Sequence, residues 1–333
     1  MSIHAVKRSQ CHLAWDKSIP PVLYVASGET VTFDCLDASN GQIIVSSTSA
    51  SLHNLVLSQL DQVCGPIAVA GALPGDTLRV DVVALETANW GWTALVPGFG
   101  LLADEFPEPA LKIWSIDKEN GSAWFNEEKG IKIPIHPFAG EMGVARGVDG
   151  AFSTIPPYNT GVIIDTKHVT VGSTLYLPIE APGALFSIGD GHAAQGDGGE
   201  YLHNKYHACG LMTSKDSPLC RGTAIETPIK VTVRLTVVKD KSYVKTPHYQ
   251  THVVPRSNGS DAGDEYYCTT GVGSEIREAA RDAVRHMIVF LIAEHGLDRI
   301  AAYMLCSVAG DLRMHEVVDM PNYVASLFMS VSC

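Results

Sequence analysis

The sequence predicts a mainly β protein with α+β parts, in which antiparallel sheets form a β-sandwich or a barrel-like core and a helical segment follows at the C-terminal end. Between about residues 20 and 240, short or alternating apolar runs are separated by Gly, Pro, Asp and Asn, which is how strands and turns alternate. After Ser274 the apolar residues take helical spacing. A chain of 333 residues with 46% hydrophobic content can bury a large core.

The clearest strand is Lys230–Val238, KVTVRLTVV, because its apolar residues recur at every second position. A half-buried strand is expected there. The first helix is expected to begin after Ser274, which serves as its N-cap, and to end at Gly296. A second helix is expected from Asp298 to about Val308, and a third from Pro321, since proline suits the first turn.

Lys239–Asp264 is polar, contains two prolines and the run SNGSDAGD, and predicts a linker or a long surface loop. We therefore divide the chain into a β-rich core at 1–240 that carries the site, with an insertion loop at 201–220, and a loop followed by helices at 241–333.

Charge and composition exclude several classes of function. The 24 Lys+Arg against 36 Asp+Glu leave a net charge of −12, which disfavours nucleic acid as a partner. No apolar run is long enough to span a bilayer and no secretory leader is evident, so a cytoplasmic protein without membrane attachment is expected. The eight cysteines lack zinc-ribbon spacing and predict free thiols.

The richest cluster of candidate site residues lies in Gly183–Glu200, GALFSIGDGHAAQGDGGE. Asp190 and His192 are two residues apart and point to the same side of an extended stretch, and a carboxylate with an imidazole is a common ligand pair for a divalent metal. Gln195 and Asp197 follow. An Asp-Gly turn beside a hydrogen-bonded histidine is the structural alternative.

Other candidates are a strand-end carboxylate at Asp37 next to Cys35, and Glu141 in the apolar stretch PIHPFAGEMGVA. Strand-end aspartates often cap turns. A carboxylate in apolar surroundings tends to have a raised pKa, which suits a base that activates water. Possible substrate contacts come from three further residues, which can equally be turn or packing residues: Tyr158, Asn159 and Trp92.

These stretches resemble the acetamidase/formamidase family, and fungal formamidases most of all. The similarity covers nearly the whole chain, and its strength is the shared order of many short strings. They are FDCLDASNGQI, WGWT with VPGFG, LKIW, PFAGEMGVA, STIPPY, GSTLYLP, GALFSIGDGHAAQGDG, GTAIETP and AYMLCSVAGDLR.

The resemblance implies hydrolysis of short amides such as formamide or acetamide to a carboxylate and ammonia, a mainly β fold, a homo-oligomer and, in some members, a divalent metal. The motif residues carried over are Asp37, Asp190, His192, Gln195, Asp197 and Glu226.

Two departures from the family pattern stand out. About twenty residues, Tyr201–Pro218, intervene before the GTAIE string. The insertion contains His203, His207 and Cys209, which suggest a second metal site, but it can also be a disordered excursion or a wrongly translated intron. Where the family has Gly-Gly-Asn-x-Asp, this chain has Val162-Ile163 before Asp165. The change removes an amide that can orient substrate.

Our hypothesis from the sequence is that Asp37, Asp190 and His192 hold a divalent metal, with zinc expected, which polarises the amide carbonyl and lowers the pKa of a water. Glu141 then takes the water proton and passes it to the departing nitrogen. The set of residues expected to act in catalysis is Glu141, Gln195 and Asp197, and the set expected to contact substrate is Tyr158, Asn159 and Trp92.

Three alternatives stay open. A metal-free site can use Glu141 and Asp190 as acid and base, or Cys35 can act as a nucleophile. The chain can also be a catalytically impaired relative that serves as an oligomeric small-ligand binding protein.

Overall fold

The computed structural model describes residues 3–96, 100–102, 104–163, 165–197, 223–252 and 265–330. The predicted insertion at 201–220, with His203, His207 and Cys209, lies outside the described residues, as do the side chains of Val162 and Ile163.

Strands dominate the described chain, and their bounds are as follows. The first ten are β1 Ile3–Val6, β2 Cys11–His12, β3 Ala14–Trp15, β4 Leu23–Val25, β5 Glu29–Cys35, β6 Val63–Val69, β7 Thr77–Thr87, β8 Trp90–Leu95, β9 Ala110–Asp117 and β10 Ser122–Asn126. The remainder are β11 Ile131–Pro134, β12 Phe138–Val144, β13 Phe152–Ser153, β14 Gly161–Ile163, β15 Thr174–Pro178, β16 Ala184–His192, β17 Ile229–Val238, β18 His248–Thr251, β19 Tyr266–Gly273, β20 Asp311–Glu316 and β21 Tyr323–Ser330. The α-helices are α1 Ile276–His295 and α2 Arg299–Ala309, and two 3-10 helices span Ser49–Asn54 and Leu57–Gln59.

Two mainly antiparallel sheets pack face to face, which confirms the predicted fold class as a sandwich. One has nine strands in the order β1-β5-β17-β7-β15-β18-β19-β21-β20, and the other has β14-β12-β16-β6-β2, with β4 beside β6. The core between them contains side chains from both, such as Phe33 of β5, Leu175 of β15 and Phe186 of β16. A four-stranded sheet, β11-β10-β9-β8, lies beside them.

The strand predicted at Lys230–Val238 is confirmed as β17. Val231, Val233 and Leu235 are fully buried, while Lys230 and Arg234 on the other face are exposed. This strand lies between β5 and β7 in the nine-stranded sheet.

Two of the three predicted helices are confirmed. Helix α1 ends at Gly296, whose φ of 67° is the left-handed conformation that glycine adopts without strain. Its N-cap is Glu275, so the prediction of Ser274 as the cap was wrong by one residue. Helix α2 is capped by Asp298, whose side chain accepts from the amides of Ile300 and Ala301.

The third helix, predicted from Pro321, is wrong, because this segment is strand β21, paired with β19 over eight residues. Part of the predicted linker is also strand. Residues 248–251 form β18 between β15 and β19, with His248 and Tyr249 fully buried. The nine-stranded sheet therefore takes strands from both sides of residue 240, and the domain boundary there stays a prediction.

The five cysteines for which contacts are described are free thiols, as expected. No helix within the described ranges has the length and apolar character needed to cross a membrane.

Candidate active site

A buried group of charged side chains lies at the C-terminal end of β16, a middle strand of the six-stranded sheet. Asp165, Asp190, His192 and Glu226, which we call the histidine–carboxylate cluster, are each less than a tenth exposed. His192 Nε2 lies 3.0 Å from Asp190 Oδ2 and 3.2 Å from Glu226 Oε2, and its Nδ1 lies 4.0 Å from Asp165 Oδ1.

Strand β16 supplies Asp190 and His192, as the sequence predicted. Asp190 has a φ of 53°, a left-handed conformation that aspartate tolerates better than most residues. On the neighbouring strand β12, Phe138 is paired with His192, and the two rings meet edge to face at 4.9 Å. The imidazole is thereby fixed against an apolar wall.

Glu226 is positioned by backbone pairing. Its amide and carbonyl are hydrogen-bonded to Trp92 of β8, and a further bridge joins it to His192. Thr227 donates to the Gly191 carbonyl at 2.7 Å. The short segment around Glu226 thus lies between β8 and the end of β16, which brings its carboxylate to the imidazole.

Gly140 of β12 lies directly against the cluster. A Cβ at this position would be 2.3 Å from Asp190 Oδ2 and 2.8 Å from both Asp165 Oδ1 and His192 Cε1. No side chain fits there. The absence of one leaves room for the ionisable groups to converge.

A second acidic group adjoins the first. Asp165, Glu316 and Asp319 also have ligand-type oxygens within 4.8 Å of one another, so Asp165 belongs to both groups. Glu316 accepts a hydrogen bond from the Asp319 amide at 2.9 Å. Neither Glu316 nor Asp319 was predicted as a site residue, because Glu316 ends β20 and Asp319 follows it, and the sequence pattern did not reveal this strand.

Burial and charge act on these groups in opposite directions. Burial lowers the pKa of His192, but the carboxylates of Asp190 and Glu226 more than offset it and raise that pKa well above its usual value. Burial raises the pKa of Glu226 well above its usual value, although the charge of His192 opposes this. Burial likewise raises the pKa of Asp165.

Gln195, predicted from the sequence, contacts the cluster. Its Nε2 donates to Asp165 Oδ2 at 3.1 Å. The side chain is 8% exposed and lines an apolar cavity of about 140 Å³ together with Trp114, Phe125 and Ile225.

Asp37 belongs neither to the histidine–carboxylate cluster nor to the adjoining acidic group. Asp37 is fully buried beyond the end of β5 and accepts hydrogen bonds from the amide and hydroxyl of Ser39. Burial raises its pKa. Trp92 packs in an apolar cluster with Ala38, the residue after Asp37.

Glu141 is buried on β12 but lies on the opposite face from Gly140, because neighbouring residues of a strand point to opposite sides. Tyr158 and Asn159 form a turn closed by two hydrogen bonds between Tyr158 and Gly161. The Tyr158 ring packs near Phe152 and Arg146, and Asn159 is exposed. These three residues are therefore not part of the cluster.

Cys35 is fully buried and donates to the Ile188 carbonyl. Hydrogen bonding with Cys64 and burial raise the pKa of its thiol well above the usual value. A nucleophilic cysteine needs a lowered pKa, so this environment disfavours the thiol alternative.

Comparison with known proteins adds a consistent set of relatives. The profile described as "Acetamidase/Formamidase family" matches residues 2–149 and 145–333. The chain is 25% identical to a formamidase of Methylophilus methylotrophus, over 96% of this chain and 88% of the relative, and 26% identical to an acetamidase of Mycolicibacterium smegmatis, over 56% and 60%. A crystal structure of an acetamidase from Bacillus halodurans superimposes with a TM-score of 0.83 at 25% identity and covers 98% of this chain and 97% of that one.

Proposed function

The chain belongs to the Acetamidase/Formamidase family, and we propose that it is an amide hydrolase that releases ammonia from short linear amides such as formamide or acetamide with the aid of a divalent metal. The observation that carries the proposal is the histidine–carboxylate cluster at the centre of the matched region.

The charge of the cluster favours a cation. With all three carboxyl groups ionised, the cluster would carry more negative charge than one imidazolium neutralises. Burial raises the pKa of Asp165 and Glu226, so this ionised state is costly unless a cation binds there. Among the described residues, Asp165 Oδ1 and His192 Nδ1 are buried without a hydrogen-bond partner. Both are atoms of metal-ligand type.

The residues fit a metal site built from Asp165, Asp190 and His192, whose ligand atoms lie within 4.8 Å of one another. A carboxylate and imidazole donor set suits zinc, which we propose as the ion. When bound, the ion supplies a Lewis acid that polarises the amide carbonyl and lowers the pKa of water. Asp165 replaces Asp37 in the ligand set expected from the sequence.

We assign proton transfer to Glu226, whose carboxylate adjoins the imidazole, in place of Glu141. It accepts a proton from the water that attacks the carbonyl carbon, and it returns that proton to the amide nitrogen as the C–N bond breaks, so that ammonia leaves. Gln195, held by Asp165, is placed to orient the amide.

An ammonia-release assay on formamide, acetamide and propionamide, run with and without chelator and alongside metal analysis, tests the proposal. We expect chelation to abolish turnover, zinc to restore it, and H192A to lower kcat by about a thousandfold or more. The matched control is H53A, at an exposed histidine.

Full turnover by H192A, or by metal-free protein, would contradict the scheme. A protein that releases no ammonia, yet is thermally stabilised by one of these amides, would favour the binding-protein alternative.

A further inference from the structure

Asp197, two residues beyond Gln195, is surrounded by basic side chains from two other segments. Lys167 Nζ lies 3.0 Å from Asp197 Oδ1, His168 Nε2 lies 3.8 Å from the same oxygen, and Arg313 lies 4.0 Å from Oδ2. Partial burial alone would raise the pKa of Asp197, but the neighbouring His168 and Lys167 side chains hold it well below its usual value. The carboxylate therefore stays charged near neutral pH.

Each of the three segments that meet at Asp197 also carries a polar residue of the candidate active site. Lys167 is two residues after Asp165, and Arg313 on β20 is three residues before Glu316. Gln195 of the third segment donates to Asp165, and the Glu316 carboxyl is hydrogen-bonded to the same residue. The same segments thus meet twice, once at the ion pairs and once at Asp165.

We propose that Asp197 is a positioning residue, which holds the segments of Asp165, Gln195 and Glu316 together through Lys167 and Arg313 and does not itself contact substrate. This inference rests on the proposed function for its catalytic consequence. Its structural consequence, a shared stability of the three segments, does not depend on that function.

A metal at the same place is the competing interpretation. Ligand atoms of His168, Asp197 and His315 lie within 4.8 Å of one another, and within the described chain His315 Nδ1 is buried without a hydrogen-bond partner. The charges decide against it. Lys167 and Arg313 already face the Asp197 carboxylate, and two positive side chains would repel a cation bound there.

The first test is hydrogen–deuterium exchange of the full chain, comparing wild type with D197N. We expect exchange to quicken by about tenfold or more in three stretches together, residues 161–168, 190–197 and 311–316, because a charged hydrogen-bonded group is lost. K167M and R313M should give the same pattern.

The matched control is D81N. Asp81 accepts hydrogen bonds from Arg79 and Arg234, which is the same kind of ion-pair group, on β7 of the other sheet. In D81N the three stretches should keep wild-type exchange. Faster exchange confined to residues near 197, or an equal change in D81N, would overturn the proposal.

The second test is kinetic. D197N should lower kcat for formamide about tenfold to a hundredfold with little change in KM, the size of effect seen when support of a site is lost, and D197E should recover part of it. D81N should retain kcat.

Zinc stoichiometry completes the test. Loss of one zinc equivalent in H168A or H315A would assign the group to a metal and overturn the positioning role. If the wild type releases no ammonia, the proposed function fails, while the exchange pattern still decides the role of Asp197.

Discussion

A histidine lies at each face of the β12 and β16 pair, and the surroundings of the two histidines shift their pKa values in opposite directions. On one face, beside Gly140, His192 lies among carboxylates that raise its pKa. On the other face lie Glu141 and Ser187, and Ser187 is bonded to His12.

His12 has a hydrogen-bond partner at each of its two ring nitrogens. Its Nδ1 donates to the Ala14 carbonyl at 2.8 Å, which leaves Nε2 to accept from the Ser187 hydroxyl at 2.7 Å. Burial lowers the pKa of His12 to about 4, so the ring is neutral near pH 7. The comparison teaches that burial alone does not mark a site for chemistry. Several carboxyl groups that converge on one buried histidine do.

The strongest test of this comparison replaces one carboxylate on each face. E226Q should lower kcat by about a hundredfold or more, since general acid–base catalysis is worth that much. E141Q should retain most of the activity, because Glu141 faces away from the cluster. Steady-state ammonia release measures both, and the reverse order of effects would place the chemistry on the Glu141 face.

A smaller effect is expected when the space beside the cluster is filled. In G140A the new methyl group would lie 2.3 Å from Asp190 Oδ2, so the carboxylate and imidazole atoms of the cluster must separate. We expect zinc affinity and kcat to fall about tenfold to a hundredfold, as when the support of a metal ligand is disturbed.

G273A is the control for this substitution, because a Cβ there meets its nearest neighbour at 3.5 Å, an ordinary contact. Equilibrium dialysis measures the zinc affinity and steady-state kinetics measure kcat. Equal losses of both in the two variants would show that the effect of G140A is general and not local to the cluster.

The smallest effect on catalysis is expected on the opposite face. S187A removes the partner of His12 Nε2 and should reduce the free energy of unfolding by about 1–3 kcal/mol, with kcat preserved. Urea unfolding at pH 7 and the ammonia assay measure the two quantities. A large loss of kcat in folded S187A would instead indicate a serine nucleophile activated by His12.

The sequence predicted correctly those elements that depend on residues close together in the chain. The alternation in β17, the helical spacing of α1 and the start of α2 at about Asp298 all appear in the structure. The pairing of Asp190 with His192 is also a local property, since it depends only on two-residue spacing in β16.

Pairings between distant segments were not visible in the sequence. Strand β18 is only four residues long and lies in a polar region, and its place is set by β15 and β19 on either side. The apolar run in β21 suits a buried strand or a helix equally, and pairing with β19 decides.

The histidine–carboxylate cluster shows the same limit. Asp165, Asp190 and Glu226 are separated by tens of residues along the chain, and contacts between distant segments bring their carboxyl groups to His192. Asp37 has the right residue type and a strand-end position, but its hydrogen bonds to Ser39 make it part of a turn.

The left-handed backbone at Asp190 has a consequence for the evolution of such chains. Only glycine, asparagine and aspartate adopt this conformation readily, so few other residues can replace Asp190 without strain. Both permitted replacements are one nucleotide away from an aspartate codon, and both remove the charge while the backbone keeps its shape. A lineage can therefore lose the proposed cation site in a single step and still inherit an intact sandwich, so fold similarity alone is a poor guide to which relatives retain the reaction.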